Sequence, residues 1–271
     1  MDLSRASRMF FAGTMIAMGV IGLISGTFAP IWEPDATSVP GRQLLAYLCT
    51  FVSLACGGGL LSRRTTAPAA LILFAYALVW TMAFKVPIII RHPLVEVAYQ
   101  SCSQNVVLIV AAWVLYRRSP TSLHSVSRTS LVEDPGLRIA YVFYGLALIA
   151  FGLAQFIYLY LTTPLVPSWL PEPVFWAYLT GSIYVACGVA IVIGLASRLA
   201  AAISAIQITL ITLLVWTPIV MAGHMTTIHW EESIESWVLT ACAWVVAMSF
   251  EGRPWFDRLN NRGPQPVAAA H

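Results

Sequence analysis

The chain has 271 residues, of which 59% are hydrophobic and only 10% are charged, and its mean hydropathy is +0.78. A soluble protein carries about 25% charged residues, so this composition excludes a water-soluble enzyme. A net charge of +3 spread over the whole length also provides no basic surface for nucleic acid. The composition therefore predicts an all-α, polytopic membrane protein surrounded by the lipid bilayer.

Apolar runs divide the chain into eight segments, each close to the roughly 20 residues that a helix needs to cross a bilayer. The runs are nearly continuous, which favours helices over the alternating pattern of barrel strands. We predict membrane-spanning helices over residues 9–29, 43–62, 67–90, 97–116, 138–161, 174–196, 199–221 and 233–250.

The basic residues predict the orientation of these helices, because arginine and lysine are concentrated in cytoplasmic loops. Twelve of the 15 basic residues lie on one side of the predicted spans: Arg5, Arg8, Arg63, Arg64, Arg117, Arg118, Arg128, Arg138, Arg198, Arg253, Arg258 and Arg262. Acidic residues lie on the other side: Glu33, Asp35, Glu96, Glu172, Glu231, Glu232 and Glu235. Both termini are therefore predicted to be cytoplasmic, which requires an even number of spans.

Four tryptophans fall at the predicted outer ends of the spans: Trp32, Trp169, Trp176 and Trp230. Tryptophan is stable at the membrane–water interface because its ring is amphipathic. We therefore predict that these four side chains anchor the protein at its outer surface.

The two halves of the sequence resemble each other. Three matches recur at a spacing of 131 residues: Ala55-Cys56-Gly57 with Ala186-Cys187-Gly188, Pro87 with Pro218, and Ala112-Trp113 with Ala243-Trp244. The turn at 59–63 matches that at 194–198 at a spacing of 135, which predicts one turn less in the second helix of the first half and one turn more in its third. We predict two parallel four-helix bundle repeats, 1–116 and 138–250, joined by a cytoplasmic linker, 117–137, and followed by a disordered cytoplasmic tail, 251–271.

Small residues and prolines add detail to these helices. Glycines on the first and fifth spans predict close helix packing: Gly19, Gly22, Gly26, Gly145 and Gly152. Pro87 and Pro218 cannot donate a backbone hydrogen bond, so the third helix of each half is predicted to kink near its outer end.

The second half resembles a known family. Arg138 opens a span that contains Gly145 and Gly152, a proline-rich loop follows, and the run from Gly188 to Ala201 contains Gly194-Leu195-Ala196-Ser197-Arg198. This pattern is similar to that of the DoxX family of small four-helix bacterial membrane proteins. The resemblance covers about residues 138–250, and it reaches 9–116 only through the repeat. Relatives often carry Glu four residues before the matched glycine, where this chain has Tyr184.

The resemblance implies a multi-pass protein of the bacterial cytoplasmic (inner) membrane. It also implies a role in membrane redox physiology, with a quinone as the associated small molecule and a membrane redox protein as the partner. The residues themselves indicate no catalytic centre and no cofactor, so the leading interpretation is an auxiliary component. Two alternatives remain open, namely a small-solute transporter or binding protein and a structural subunit of a larger complex.

Polar residues near the outer side are the candidate ligand-binding residues. Lys85 lies within the third predicted span, where a charge requires a partner. Glutamate and glutamine recur every fourth residue at the start of the fourth span, and the repeat places Gln100 opposite Glu231 and Gln104 opposite Glu235. The complete set is Lys85, Arg91, Glu96, Gln100, Gln104, His224, His229, Glu231 and Glu235. The alternative is that the acids cap helix starts and that Lys85 snorkels outward.

The five cysteines and the histidines predict neither a thiol relay nor a metal site. No Cys-x-x-Cys motif occurs, and Cys49 with Cys102 is the pair that packing of the second and fourth spans would bring together. His224 and His229 are five residues apart, a spacing that places them on different faces of a helix and disfavours zinc.

Overall fold

The computed structural model of the chain describes residues 3–34, 39–119, 134–167, 169–223 and 225–256. Within these ranges all regular elements are helical, and eight helices are long. They are α1 (Leu3–Ser25), α2 (Arg42–Leu61), α3 (Thr66–Arg91), α4 (Glu96–Arg118), α5 (Pro135–Ile157), α6 (Pro173–Ile193), α7 (Ser197–Met221) and α8 (Thr227–Ser249). Short helical turns at Pro30–Trp32, Leu159–Thr162 and Thr163–Leu165 lie in the loops after α1 and α5.

Seven of these helices, α1 to α7, are long and apolar enough to cross a membrane, so the protein is a multi-pass membrane protein. Helix α8 differs because Glu231, Glu232 and Glu235 lie in its first turns. The rest of α8 is buried by its neighbours, and Val238, Ala241 and other apolar residues belong to the central core.

Helix α3 changes its hydrogen-bond pattern before Pro87. Residues Thr66–Trp80 and Val86–Arg91 are α-helical, whereas Thr81–Lys85 form a π-turn in which the Val86 N–H donates to the Thr81 carbonyl. Pro87 has no N–H for the Ala83 carbonyl, and a π-turn is one way to rearrange the bonds around such a gap. The matching helix, α7, stays α-helical through Pro218 to Met221.

Glycines allow the closest helix contacts. A Cβ atom at Gly145 would lie 2.7 Å from the Gly188 carbonyl oxygen, and one at Gly152 would lie 2.6 Å from that of Gly181. On α1, a Cβ at Gly19 or Gly22 would lie 2.5 Å from the facing side chain of α2. The predicted small-residue packing is therefore confirmed at these four positions. Gly26 has another role, because it ends α1 in the left-handed region with φ 66°.

The helices pack in chain order around a closed ring, in which α8 returns to contact α1 and α4 contacts α5. Helices α4 and α8 also pack against each other across the centre. Buried residues from both halves therefore form one continuous core. Besides this central contact, the halves meet at two peripheral interfaces, α4 with α5 and α8 with α1.

The last three helices of each half begin 131 residues apart: Arg42 and Pro173, Thr66 and Ser197, Glu96 and Thr227. The predicted one-turn differences in helix length are wrong, because α2 and α6 have 20 and 21 residues and α3 and α7 have 26 and 25. The prediction was wrong because the similar sequences at 59–63 and 194–198 do not occupy equivalent positions in the two helices. Gly59 lies inside α2, whereas Gly194 caps α6 with φ 73°.

Candidate functional site

The segment between α1 and α2 folds into the bundle, and we call residues 26–34 the inserted segment. Phe28, Ile31 and Trp32 are 3%, 0% and 1% exposed. The Trp32 indole donates to Ser53 Oγ at 3.1 Å. The prediction that Trp32 is an interfacial anchor is therefore wrong, because aromatic neighbours inside the bundle bury its ring.

Among the other three predicted anchors, Trp169 and Trp230 are 67% and 44% exposed, and Trp176 is half-buried. Trp32 differs from them in its surroundings. Its ring meets Tyr76 and Trp80 of α3 edge-on, at centroid distances of 5.4 and 6.1 Å. These contacts stabilise the inserted segment from its apolar side.

Two buried side chains satisfy the backbone of the inserted segment. Lys85 Nζ donates to the Glu33 carbonyl at 2.6 Å and to Ser101 Oγ at 2.7 Å. Asn105 Nδ2 donates to the Ile31 carbonyl at 2.9 Å. Irregular backbone inside a helical bundle requires such partners, since unpaired carbonyls are costly there. Lys85 is 1% exposed, so it does not snorkel outward.

The second half supplies acidic groups to the same end of the bundle. Glu231 accepts a hydrogen bond from Thr27 Oγ1 at 2.8 Å, which ties the start of the inserted segment to α8. Glu235 is 8% exposed, and its Oε1 has no hydrogen-bond partner within the described residues. The positive charge of Lys85 attracts the Glu235 carboxylate electrostatically. The fold thus brings together two candidate residues that are far apart in the chain.

The first-half candidates on α4 are less closely engaged. Glu96 begins the helix, and both of its carboxylate oxygens are buried without a hydrogen bond in the described part of the chain. Gln100 and Gln104 are half-buried on the same helix. Arg91 is exposed at the end of α3.

His229 does not join this cluster. His229 caps the start of α8, where its N–H donates to Thr226 Oγ1 at 3.2 Å and its Nδ1 accepts from the Thr226 N–H at 3.4 Å. His224 lies outside the described residues. In the described ranges no group of three or more His, Cys, Asp or Glu side chains could hold a metal ion.

Sequence reasoning missed the inserted segment together with Ser101 and Asn105, which help to hold it. One signal was available, since Phe28, Ile31 and Trp32 are large apolar residues in a stretch predicted to be a loop. Large apolar side chains in a short loop need burial, and a neighbouring bundle is the nearest place for it.

The cysteines form no bridge. Each of the five lies outside any disulfide, and Cys49 Sγ lies 3.1 Å from the Tyr76 hydroxyl. Cys102 instead lines an apolar groove between helices. The pair considered from the sequence, Cys49 with Cys102, is therefore not a disulfide in this fold.

This groove is an open cavity of about 450 Å³ where α3, α4 and α5 meet, at one interface between the halves. Its walls are apolar, and no charged side chain lines it. The main contributors are Phe74, Leu78 and Met82 of α3, Val106 and Trp113 of α4, and Phe143 of α5. A second crevice of about 360 Å³ opens at the equivalent interface between α8 and α1, where Trp237 stands 131 residues after Val106.

One tryptophan in the groove differs from its counterpart in the second half. Trp244 of α8 donates its indole N–H to Thr209 Oγ1 of α7 at 3.0 Å. At the matching positions, 131 residues earlier, Trp113 faces the groove together with Leu78, which cannot accept. The Trp113 N–H has no hydrogen-bond partner within the described residues.

Comparison with known proteins finds no relative of this chain. No family model, no curated protein and no solved structure matches the chain. The resemblance to the DoxX family therefore stays a prediction that depends on the residues quoted for it.

Proposed function

We propose that the chain crosses the bacterial cytoplasmic membrane eight times as two parallel four-helix repeats, with both termini in the cytoplasm. The seven apolar helices and the buried face of α8 support the number of spans. The regular spacing of helix starts and the paired interfaces between halves support the repeat. The arginine distribution supports the orientation.

We further propose that the protein is an auxiliary component of quinone-linked membrane redox physiology and has no catalytic centre of its own. The observation that carries this proposal is the apolar groove of about 450 Å³ between α3, α4 and α5. Its volume and uncharged walls suit a lipid-soluble ligand with a small head group. A quinone is such a ligand, and the DoxX resemblance points in the same direction. A membrane redox protein is the expected partner.

The outer polar cluster supports this function less well than the groove. Lys85 and Asn105 are engaged with backbone carbonyls of the inserted segment. These two side chains therefore have a structural role, because they hold the inserted segment inside the bundle. No such structural role explains the groove.

The proposal is tested by the quinone content of the protein purified in mild detergent. Lipids are extracted and quinone is quantified per mole of protein for the natural chain and for Val106→Trp, which introduces the residue found at the equivalent position, Trp237. We expect the natural chain to retain quinone and Val106→Trp to lose at least about tenfold, because a ring fills the groove. The reciprocal variant, Trp237→Val, is the control and should retain it. Absence of quinone from the natural chain, or equal amounts in both variants, would contradict the proposal.

Glu235 favours a second candidate function, small-solute binding or transport at the outer end. A buried carboxylate beside a buried lysine is a common feature of solute and ion pathways in membranes. This function predicts that Lys85→Ala and Glu235→Gln both abolish uptake of a solute in vesicles, while Arg91→Ala does not. Unchanged uptake in both variants would remove this candidate.

A further inference from the structure

We propose that the indole N–H of Trp113 is the hydrogen-bond donor that recognises a ring carbonyl of the ligand in the groove. This inference rests on the proposed function and names the residue that gives the groove its chemical preference. It starts from the only difference in hydrogen bonding that separates Trp113 from Trp244 within the described residues.

In the second half, the indole N–H of the matching residue, Trp244, has an acceptor within the protein. There the Thr209 hydroxyl accepts the Trp244 N–H, so that interface provides its own acceptor. In the first half Leu78 stands in place of the acceptor, and Trp113 lines an apolar cavity together with Gly136, whose Cβ position lies 3.5 Å from the indole nitrogen. A donor in apolar surroundings is costly unless it is paired, so the groove favours an occupant that brings an acceptor.

The space beside Trp113 suits a flat ring. The Phe74 ring lies 4.8 Å from the Trp113 ring at an interplanar angle of 39°, which provides an aromatic wall. On the other side is Gly136, where a Cβ atom would lie 3.5 Å from the indole nitrogen. The same Cβ position lies 3.2 Å from Asp134 Oδ1, so a side chain at residue 136 would crowd both the carboxylate and the polar edge of Trp113.

The charges near Trp113 favour an uncharged head group over a phospholipid phosphate. Arg117 lies over the Trp113 ring, 5.6 Å from its centroid, but its guanidinium pairs with the Asp134 carboxylate at 2.5 Å. The groove lining itself carries no charge. A phosphate would enter this site without a lining cation, whereas a quinone carbonyl needs only the indole donor.

The shape of the groove also orients the ligand. Trp113 lies near the end of α4, on the side that carries the Arg117 and Arg118 pair, and the groove continues towards Met82 of α3. The ring of the ligand therefore lies at the arginine-rich side, and its apolar tail lies along Leu78 and Val106.

The test uses a decyl-substituted 1,4-benzoquinone as the probe and the full chain in detergent. Trp113→Phe keeps an aromatic ring and removes the donor. Leu78→Thr gives Trp113 the internal acceptor that Trp244 already has. Each variant should weaken quinone binding about tenfold, the effect of one hydrogen bond in an apolar site. Thr209→Leu makes the opposite change in the second half and should leave binding unchanged.

The indole resonance of Trp113 supplies an independent measurement. In the NMR spectrum of the chain with ¹⁵N-labelled tryptophan, the indole signal of Trp113 is the one that disappears in Trp113→Phe. It should shift on addition of the quinone and stay in place with decylbenzene, which has a tail but no carbonyl. Phosphatidylglycerol should not reproduce the shift, and a shift with phosphatidylglycerol but not with quinone would overturn the assignment of the ligand.

The outcomes separate the two proposals. If Val106→Trp abolishes quinone binding while Trp113→Phe and Leu78→Thr leave it unchanged, the recognition role of Trp113 is wrong and the quinone function stands. If Val106→Trp also binds the probe normally, the groove is not the site and both proposals fail.

Discussion

The Lys85 ammonium group donates to the carbonyl oxygen of Glu33 at 2.6 Å, and this bond joins α3 to the segment inserted between α1 and α2. The two residues are 52 positions apart in the chain. A charged donor in the bundle thus has a structural task, because it satisfies backbone that is neither helix nor exposed loop.

Removal of this donor should destabilise the fold. We expect Lys85→Met to lower the free energy of unfolding by about 3 kcal/mol, since buried acceptors lose a charged partner. Thermal unfolding in detergent measures the loss, and the exposed Arg91→Met is the matched control. A melting temperature equal to that of the natural chain would show that the bond is dispensable.

Glu235 should be coupled to Lys85. With the lysine removed, the buried carboxylate lacks its cationic neighbour, so Lys85→Met should be less damaging when Glu235 is already Gln. A double-mutant cycle on unfolding is expected to give a coupling of at least about 0.5 kcal/mol, above the usual scatter of independent sites. Additive effects would place the two charges outside each other's influence.

Gly188 should be sensitive to a single methyl group. A Cβ atom there would lie 2.5 Å from the Gly145 carbonyl oxygen, so Gly188→Ala forces α5 and α6 apart and should cost about 1–3 kcal/mol. Gly58 of α2 has nothing within 4 Å of such an atom, and Gly58→Ala should be neutral or slightly stabilising. Equal melting temperatures for the two variants would contradict the close packing of α5 on α6.

The orientation can be tested with single cysteines in a background without the natural ones. A thiol at the exposed Pro40 should react with a membrane-impermeant reagent added to intact cells, and a thiol at the exposed Ser62 should react only after lysis. The expected pattern follows from an even number of spans with cytoplasmic termini. Labelling of position 62 from outside would reverse the topology.

The helices could be predicted from the sequence because hydropathy reports long apolar runs directly. The prediction for α3, residues 67–90, lies close to the observed Thr66–Arg91. The prediction for α1 began at residue 9, whereas the helix begins at Leu3, because Arg5 and Arg8 are polar yet compatible with a helix. Hydropathy finds the apolar part of a helix and does not find its polar ends.

The candidate site was predicted only in part. Lys85 could be predicted as a candidate because a charge inside a span is costly, but its bond to the Glu33 backbone carbonyl could not, because hydropathy does not report where a loop folds. Hydropathy treats residues between two spans as loop, so it could not place Trp32 inside the bundle. The sequence repeat already placed Leu78 opposite Thr209. Its consequence depends on the structure, in which Thr209 accepts a hydrogen bond from Trp244 while Leu78 and Trp113 line the groove.

The groove as a quinone site is the central claim, and photolabelling with an azido-substituted benzoquinone that carries an apolar tail tests it most directly. Labelled peptides are mapped by mass spectrometry, with excess unlabelled quinone as the competition control. We predict competable labelling within residues 74–86 of α3, 102–113 of α4 and 136–143 of α5, and its loss in Val106→Trp. Labelling confined to other helices, or labelling that excess quinone does not reduce, would contradict the account.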